Sequence, residues 1–382
     1  MSQELKIFFP GKLVFGKGAL DSLTEELLAS SSAKVLIVTI EPLLTALDKH
    51  IKKLEQAGIS VLVDTSILKE PSFEDFNALS AKVAPFKASV VVGIGGGSVL
   101  DIAKLLAAQL DNEQRLEEII GIGLLKGRTK KLICVPATSG TGSEASPNAI
   151  LVDNTDNQKK GIISPFLVPD SVYVDPLLTI SVPPAITAAT GLDALTHCLE
   201  AYTNKFSQPF IDMYAFEGMR LIAANIVKAV KEGTDEEART QVAMGSLLGG
   251  FCLGPVNTAG VHALSYPLGS MFHLAHGLSN ALLLPYVMEF NIPAAPQRYA
   301  DVALALGCAP ENNPLDTAFK GVEKIRELIE DCGIPARLSE LNIPENAIPE
   351  MAKDAMKITR LLKNNPRLIT LEDAIAIYTA AY

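Results

Sequence analysis

The chain has 382 residues, 48% apolar and 20% charged, the composition of an ordinary soluble globular protein with room for roughly two domains. Its 33 basic and 43 acidic residues give a net charge of −10, which argues against nucleic acid or an anionic membrane as the main partner. No run reaches the roughly 18 apolar residues of a membrane span, and the opening "MSQELKIFFPGK" lacks the basic flank and long apolar stretch of a signal peptide. The five cysteines (Cys134, Cys198, Cys252, Cys308, Cys332) are scattered and never form a CxxC pair. They predict reduced, mostly buried thiols in a cytoplasmic protein.

The first half alternates short β-branched runs with longer mixed segments. Strands are predicted at 34–40, 60–67, 88–96, 131–139 and 171–176, and helices at 42–57, 73–84 and 98–110. The first, third and fourth strands are almost wholly apolar, as strands covered on both faces are. Alternation of this kind implies right-handed βαβ units and a parallel sheet. After "SVPPAI" (181–186) helical periodicity takes over, with helices predicted at 186–203, 209–231, 235–253, 315–332 and 371–381. The expected organisation is an α/β domain over 1–180 followed by an all-helical domain over 181–382.

Two glycine-rich stretches follow predicted strands. "VVVGIGGGSVLDIAK" (90–104) is strand, turn and helix start. Gly95, Gly96 and Gly97 lack a Cβ, so a ligand can approach the backbone, and amides at a helix N-terminus bind phosphate oxygens. Asp101 and Lys104 lie in the helix's first turns. A serine stands where the third glycine of GxGxxG belongs, and a P-loop is absent; a tight βα turn without a ligand is the alternative. "PATSGTGSEAS" (136–146) can form an anion-binding nest, with Thr138, Thr141 and Ser143 as further donors. Two such loops at strand carboxyl ends together point to a nucleotide-like ligand.

Four of the five histidines (His197, His262, His273, His276) lie between residues 197 and 276; the fifth, His50, in "LDKHIKK", reads as a solvated surface residue. Asp193 and His197, in "GLDALTHCLEAY", share a helix face by their i, i+4 spacing. His262 and His276 stand in "GVHALSYPLGSMFHLAHGLSN", with His273 three residues before the latter. One aspartate and three histidines suit a divalent metal such as Fe²⁺ or Zn²⁺. A single histidine in a helix is more often core or surface than ligand; the clustering argues against that reading here.

These stretches, with "FFPGKLVFGKGAL", "DPLLT", "HGLSNALLLPYVMEFN" and "NPRLITLEDAIAIY", resemble the iron-containing (group III) alcohol dehydrogenases over essentially the full length. The resemblance implies an N-terminal dinucleotide-binding domain, a helical C-terminal domain and an active site in the cleft between them. By residue match it implies Asp193, His197, His262 and His276 as metal ligands. Cofactor contacts would be Gly96, Gly97, Ser98 and Asp101 at the pyrophosphate, Thr138 and Thr141 in the second loop, and Lys160 and Leu178 near the nicotinamide ribose. It further implies Fe²⁺, with Zn²⁺ as the alternative, NAD or NADP, a small alcohol or aldehyde substrate, and a homodimer.

Two departures from the family pattern bear on function. Ile40 stands where NAD-preferring members commonly carry an aspartate, and Glu70 where many carry asparagine. NADP use is thereby opened, yet Glu41 is adjacent and no basic residue offers to hold a 2′-phosphate, so NAD stays slightly ahead. Tyr266 stands where several relatives carry a histidine, so the proton relay falls to His273 or Tyr266. Phe251, Cys252 and Tyr266 are candidates for the pocket wall. The competing readings are a glycerol-dehydrogenase-like, dehydroquinate-synthase-like or maleylacetate-reductase-like enzyme, or a sensor that binds metal and cofactor without turnover. The first group's lyases need basic residues for a sugar phosphate acid. The 186–280 region offers few, namely Lys205, Arg220, Lys228, Lys231 and Arg239.

Overall fold

The computed structural model describes residues 5–30, 33–155 and 158–382; residues 1–4 of the amino-terminal stretch read above lie outside them. The chain forms two compact units. One comprises Lys6–Thr138 and Gly142–Thr179, the other Ser139–Thr141 and Ile180–Tyr382 together with Leu5.

The first unit runs β1 (Lys12–Phe15), α1 (Ala19–Ala29), β2 (Lys34–Val38), α2 (Leu44–Gln56), β3 (Ser60–Asp64), α3 (Phe73–Val83), β4 (Val90–Gly95) and α4 (Gly97–Gln109). It continues with β5 (Gly121–Ile122), β6 (Lys131–Pro136), β7 (Asn148–Asp153), β8 (Gln158–Ile163) and β9 (Ser171–Val174). Six of these strands form a sheet in the order β1-β9-β6-β4-β2-β3, parallel throughout. The three near-continuous apolar runs became its middle strands, and β4 is buried at every position. The chain doubles back between β2 and β4: β3 lies on one side of β2, β4 and the later strands on the other. Open sheets bind ligands outside the strand carboxyl ends at such a reversal. Ile40 follows β2 there, and Gly95 closes β4. Helix α4 sits tightly on β4 because the strand carries glycines. A Cβ on Gly93 would stand 2.6 Å from that of Ala103.

Strand β1 and helix α1 were not legible in the sequence, nor was the small sheet β5-β8-β7, in which β7 and β8 pair antiparallel. The start of α1 has no side-chain cap of its own. Asp175 supplies one from far along the chain, accepting the amides of Gly18 (3.1 Å) and Leu20 (3.2 Å). The expectation of a solvated His50 is corrected. It belongs to the inward stripe of α2 with Leu47 and Leu54, and its Nδ1 lies 2.7 Å from the Thr24 hydroxyl. The flanking lysines point outward and masked that stripe.

The second unit is helical: α5 (Pro184–Thr203), α6 (Pro209–Lys231), α7 (Glu236–Leu253), α8 (Gly260–Phe272), α9 (His276–Asn291), α10 (Pro296–Ala305), α11 (Pro314–Asp331), α12 (Ile348–Met356), α13 (Thr359–Leu362) and α14 (Leu371–Ala380). Helix α5 is its centre. Pro184 at the first helical position suits the start, and every residue from Gly191 to Thr203 is buried among α6, α7 and α9. Among the described residues no helix is long and apolar enough to cross a membrane.

Candidate functional site

Three turns of α5 carry Asp193, His197 and Glu200 on one face, by i, i+4, i+7 spacing, and all three are buried. Helix α9 can lie against this face because its second residue is glycine. A Cβ on Gly277 would stand 2.2 Å from the Ala189 carbonyl oxygen, a backbone atom that cannot yield. That approach sets His276 over Asp193. Helices α8 and α9 are joined through His273, whose left-handed φ of 56° ends α8. Its amide bonds the Gly269 carbonyl (3.0 Å) and that of Leu274 bonds Leu268 (3.3 Å), a helix end closed by a left-handed residue.

The outcome is a convergence of ligand atoms. One atom each from Asp193, His262 and His276 lies within 4.8 Å of the others. Asp193 Oδ1 is 3.7 Å from His262 Nε2 and 3.9 Å from His276 Nε2. His197 stands beside this group: its Nε2 is 3.8 Å from the same oxygen and its ring stacks on that of His262 at 4.8 Å. The Asn280 amide nitrogen faces the group, 2.7 Å from Asp193 Oδ1 and 3.1 and 3.2 Å from the His262 and His276 Nε2 atoms.

Burial works against charge on Asp193, but His197, His276 and His262, with the Asn280 amide, outweigh it and hold the carboxyl at about 2. Burial also pushes the His197 imidazole below the ordinary histidine range, toward the neutral form that ligates metals. The His276 side chain is 30% exposed against 3–6% for the other three, so solvent reaches the group on its side.

The donor set fits a divalent cation: one anionic oxygen and neutral imidazoles are ligands for iron or zinc. One buried atom beside it, Asn280 Oδ1, has no hydrogen-bond partner among the described residues, which is costly unless something else satisfies it. Tyr266 stacks at an angle near His276, centroids 5.9 Å apart, whereas His273 is exposed. Phe251 and Cys252 are buried in α7.

Glu200, Asn280 and Gly277 were missed by the sequence reading. The signal for the first lay in "GLDALTHCLEAY" itself, one turn beyond His197; for Asn280 it was the i+4 spacing from His276. Glu200 accepts the amides of Ala259 (2.9 Å) and Val261 (2.6 Å) and lies 2.6 Å from His262 Nδ1.

In the α/β unit, Gly96 caps α4 without a side chain, and the first turn holds no acidic residue, leaving it suited to an anion. Gly96, Gly97 and Ser98 are partly exposed. Thr138 Oγ1 would lie 3.5 Å from a Cβ on Gly96. Asp101 is engaged inside the protein, accepting the Ser143 hydroxyl (2.5 Å) and the Ile150 amide (3.0 Å). Lys104 donates to the carbonyls of Ser146 and Asn148. Both residues of α4 thereby fasten the second glycine loop's continuation. Lys160 on β8 is 3.9 Å from Asp153 Oδ2, and Leu178 is buried in the sheet's core. In the helical unit, Gly140 of the same loop rests on α5, where a Cβ would stand 2.7 Å from that of Thr190; Thr141 is partly exposed.

The chain matches the family described as iron-containing alcohol dehydrogenase over residues 10–176, and the C-terminal part of the Fe-containing alcohol dehydrogenase family over 187–382. It is 38% identical to long-chain-alcohol dehydrogenase 1 of Geobacillus thermodenitrificans (strain NG80-2), covering 99% of this chain and 96% of the relative. A crystal structure of 1,3-propanediol oxidoreductase superposes with a TM-score of 0.95 at 33% identity and full coverage of both chains. That of sulfoacetaldehyde reductase from Bifidobacterium kashiwanohense in complex with NAD⁺ gives 0.88 at 27% identity, covering 99% of each.

Proposed function

The chain belongs to the iron-containing alcohol dehydrogenase family, and we propose that it transfers hydride between a nicotinamide dinucleotide and a small alcohol, diol or hydroxy aldehyde at a metal held by Asp193, His197, His262 and His276. The observation that carries this reading is the convergence of Asp193, His262 and His276 on one point, with His197 alongside.

Bound there, Fe²⁺, or Zn²⁺ in its place, would act as a Lewis acid on the substrate oxygen, and the hydride chemistry would be the cofactor's. The chain supplies the rest. Asp193 stays ionised across the physiological range, because its carboxyl is held at about 2. The exposed side of His276 gives the substrate its approach. A proton must reach the product oxygen in the reductive direction; His273, exposed at the end of α8, and Tyr266, beside His276, are the residues we assign to that relay.

Residues 1–180 would form the cofactor domain, with Gly95, Gly96, Gly97, Ser98, Asp101, Thr138, Thr141, Lys160 and Leu178 near the dinucleotide; Asp101 also holds the second glycine loop through Ser143. Residues 181–382 would form the metal and substrate domain. Ile40 leaves the adenosine ribose without an acidic partner, so NAD is favoured only slightly over NADP. All five cysteines are free thiols, which supports a cytoplasmic setting. Exposed Phe8 and Phe9, just before β1, and Leu13 on that edge strand support a homodimer. The lyase reading loses support because four of the five basic residues of the 186–280 region are engaged: Arg220 with Glu217, Lys228 with Asp235, Lys231 with Asp331, and Arg239, buried, with Thr187 and two carbonyls.

The test is a steady-state assay on metal-stripped protein reloaded anaerobically with Fe²⁺ or Zn²⁺. Propanal, glycolaldehyde and lactaldehyde would be offered with NADH and NADPH in parallel. Metal-restored turnover that disappears in His262→Ala supports the proposal. Tight metal binding without turnover on any pairing would favour the sensor.

A further inference from the structure

Helix α8 starts at Gly260 without a side-chain cap of its own. The first amides of a helix have no intrahelical acceptor and carry partial positive charge. Glu200 meets that need from another helix, accepting the amides of Ala259 and Val261. The same carboxylate lies 2.6 Å from His262 Nδ1. The other ring nitrogen, Nε2, faces Asp193 at 3.7 Å. Carboxylate, imidazole and ligand point therefore lie in series, and all three side chains are buried.

We infer that Glu200 is a positioning residue for the metal site: it holds the proton of His262 on Nδ1 and so presents the Nε2 lone pair to the ion. The inference deepens the proposed function and rests on its metal reading. An imidazole has two neutral tautomers, and only the one protonated at Nδ1 can ligate through Nε2. A carboxylate on the far nitrogen selects that tautomer, fixes the ring plane and raises ligand basicity. Glu200 also accepts the two amides that open α8, so the position of the ring and the position of its helix are set by one group. A cap without the imidazole contact would hold the helix but leave the tautomer free.

The experiment compares Co²⁺ binding, followed by its visible absorption, in the full-length wild type and in Glu200→Gln, which keeps the volume and removes an acceptor. The expected result is a loss of affinity of about 10–100-fold, with each protein's metal-free melting temperature measured alongside. Selective ¹⁵N-histidine NMR of the metal-free wild type at pH 8 is the second readout, and it needs no variant to fold. His262 should carry its proton on Nδ1. Unchanged Co²⁺ affinity in Glu200→Gln, or a proton on Nε2 in the wild type, overturns the inference while leaving the metal site standing. Failure of the wild type itself to bind Co²⁺ would bring down the metal reading and this inference with it.

Discussion

The Asn280 amide nitrogen lies 2.7 Å from Asp193 Oδ1, at the centre of the atoms that would ligate a metal. An amide nitrogen has two hydrogens, yet three acceptors crowd it here, while its own carbonyl oxygen has no partner among the described residues. The amide thus does in the metal-free chain part of what a cation would do, and a cation would compete with it. Asn280→Ala should lower the metal-free protein's stability by about 1–3 kcal/mol, since a buried carboxylate loses a donor. The melting-temperature gain on adding Zn²⁺ should then be larger in the variant than in the wild type. An equal or smaller gain would mean that Asn280 assists metal binding instead of standing in for it.

If the adenosine ribose lies against Ile40, just beyond β2, as proposed, the side chain at that position sets the choice of cofactor. An acid at that position of a dinucleotide fold bonds the ribose hydroxyls and repels a 2′-phosphate. Ile40→Asp is therefore expected to lower kcat/KM for NADPH by at least about tenfold, roughly 1.4 kcal/mol, while NADH is unchanged or improved. Parallel titrations with the two cofactors read this directly, and equal effects on both would place the adenosine elsewhere.

Two glycines of the first glycine-rich stretch, Gly93 within β4 and Gly96 in the turn after it, make opposite predictions. At Gly93 an added methyl meets Ala103 at 2.6 Å and Leu100 at 3.3 Å, so Gly93→Ala should cost about 1–3 kcal/mol through overpacking. At Gly96 the nearest atoms are those of Thr138, at 3.5 and 3.6 Å, an ordinary contact, and φ is −78°. Gly96→Ala should melt like the wild type, yet raise the cofactor KM at least about tenfold, because the methyl occupies the backbone's approach to phosphate. A normal KM in a folded Gly96→Ala protein would remove this turn from the cofactor site.

What could be read in the sequence was what is local. The strands at β2, β4 and β6 announced themselves because burial on both faces leaves no polar alternation, and the α5 pair announced itself by helical spacing. The rest depends on partners distant in the chain. Asp175 caps α1 across more than half of the first unit, Glu200 orders a histidine of α8, and His50 looked exposed because only its neighbours' charges were visible. Asp101 is a cofactor contact by its match to the family; its hydrogen bonds to Ser143 and Ile150 belong to tertiary structure that spacing does not encode. His197 matched its family position, but its stacking on His262 is a product of how α5 and α8 meet.

Glu144, within the second glycine loop, gives the last prediction. Its side chain is buried at 3% exposure, and that burial, offset in part by its own amide and by Lys104, raises its carboxyl to about 7. An ordinary glutamate in the unfolded chain titrates at about 4.3. Between those values the folded state binds the proton that the unfolded state releases, so stability falls as pH rises. The penalty begins near the unfolded value and is complete above about 7, where it amounts to at most about 4 kcal/mol. Glu144→Gln cannot ionise, so it should melt higher than the wild type at pH 8 in cofactor-free protein, with the difference vanishing near pH 4. Denaturant unfolding at several pH values measures the slope. A variant that is less stable than the wild type at pH 8 would show that the ionised carboxylate is satisfied in place, and that its charge is used by the loop.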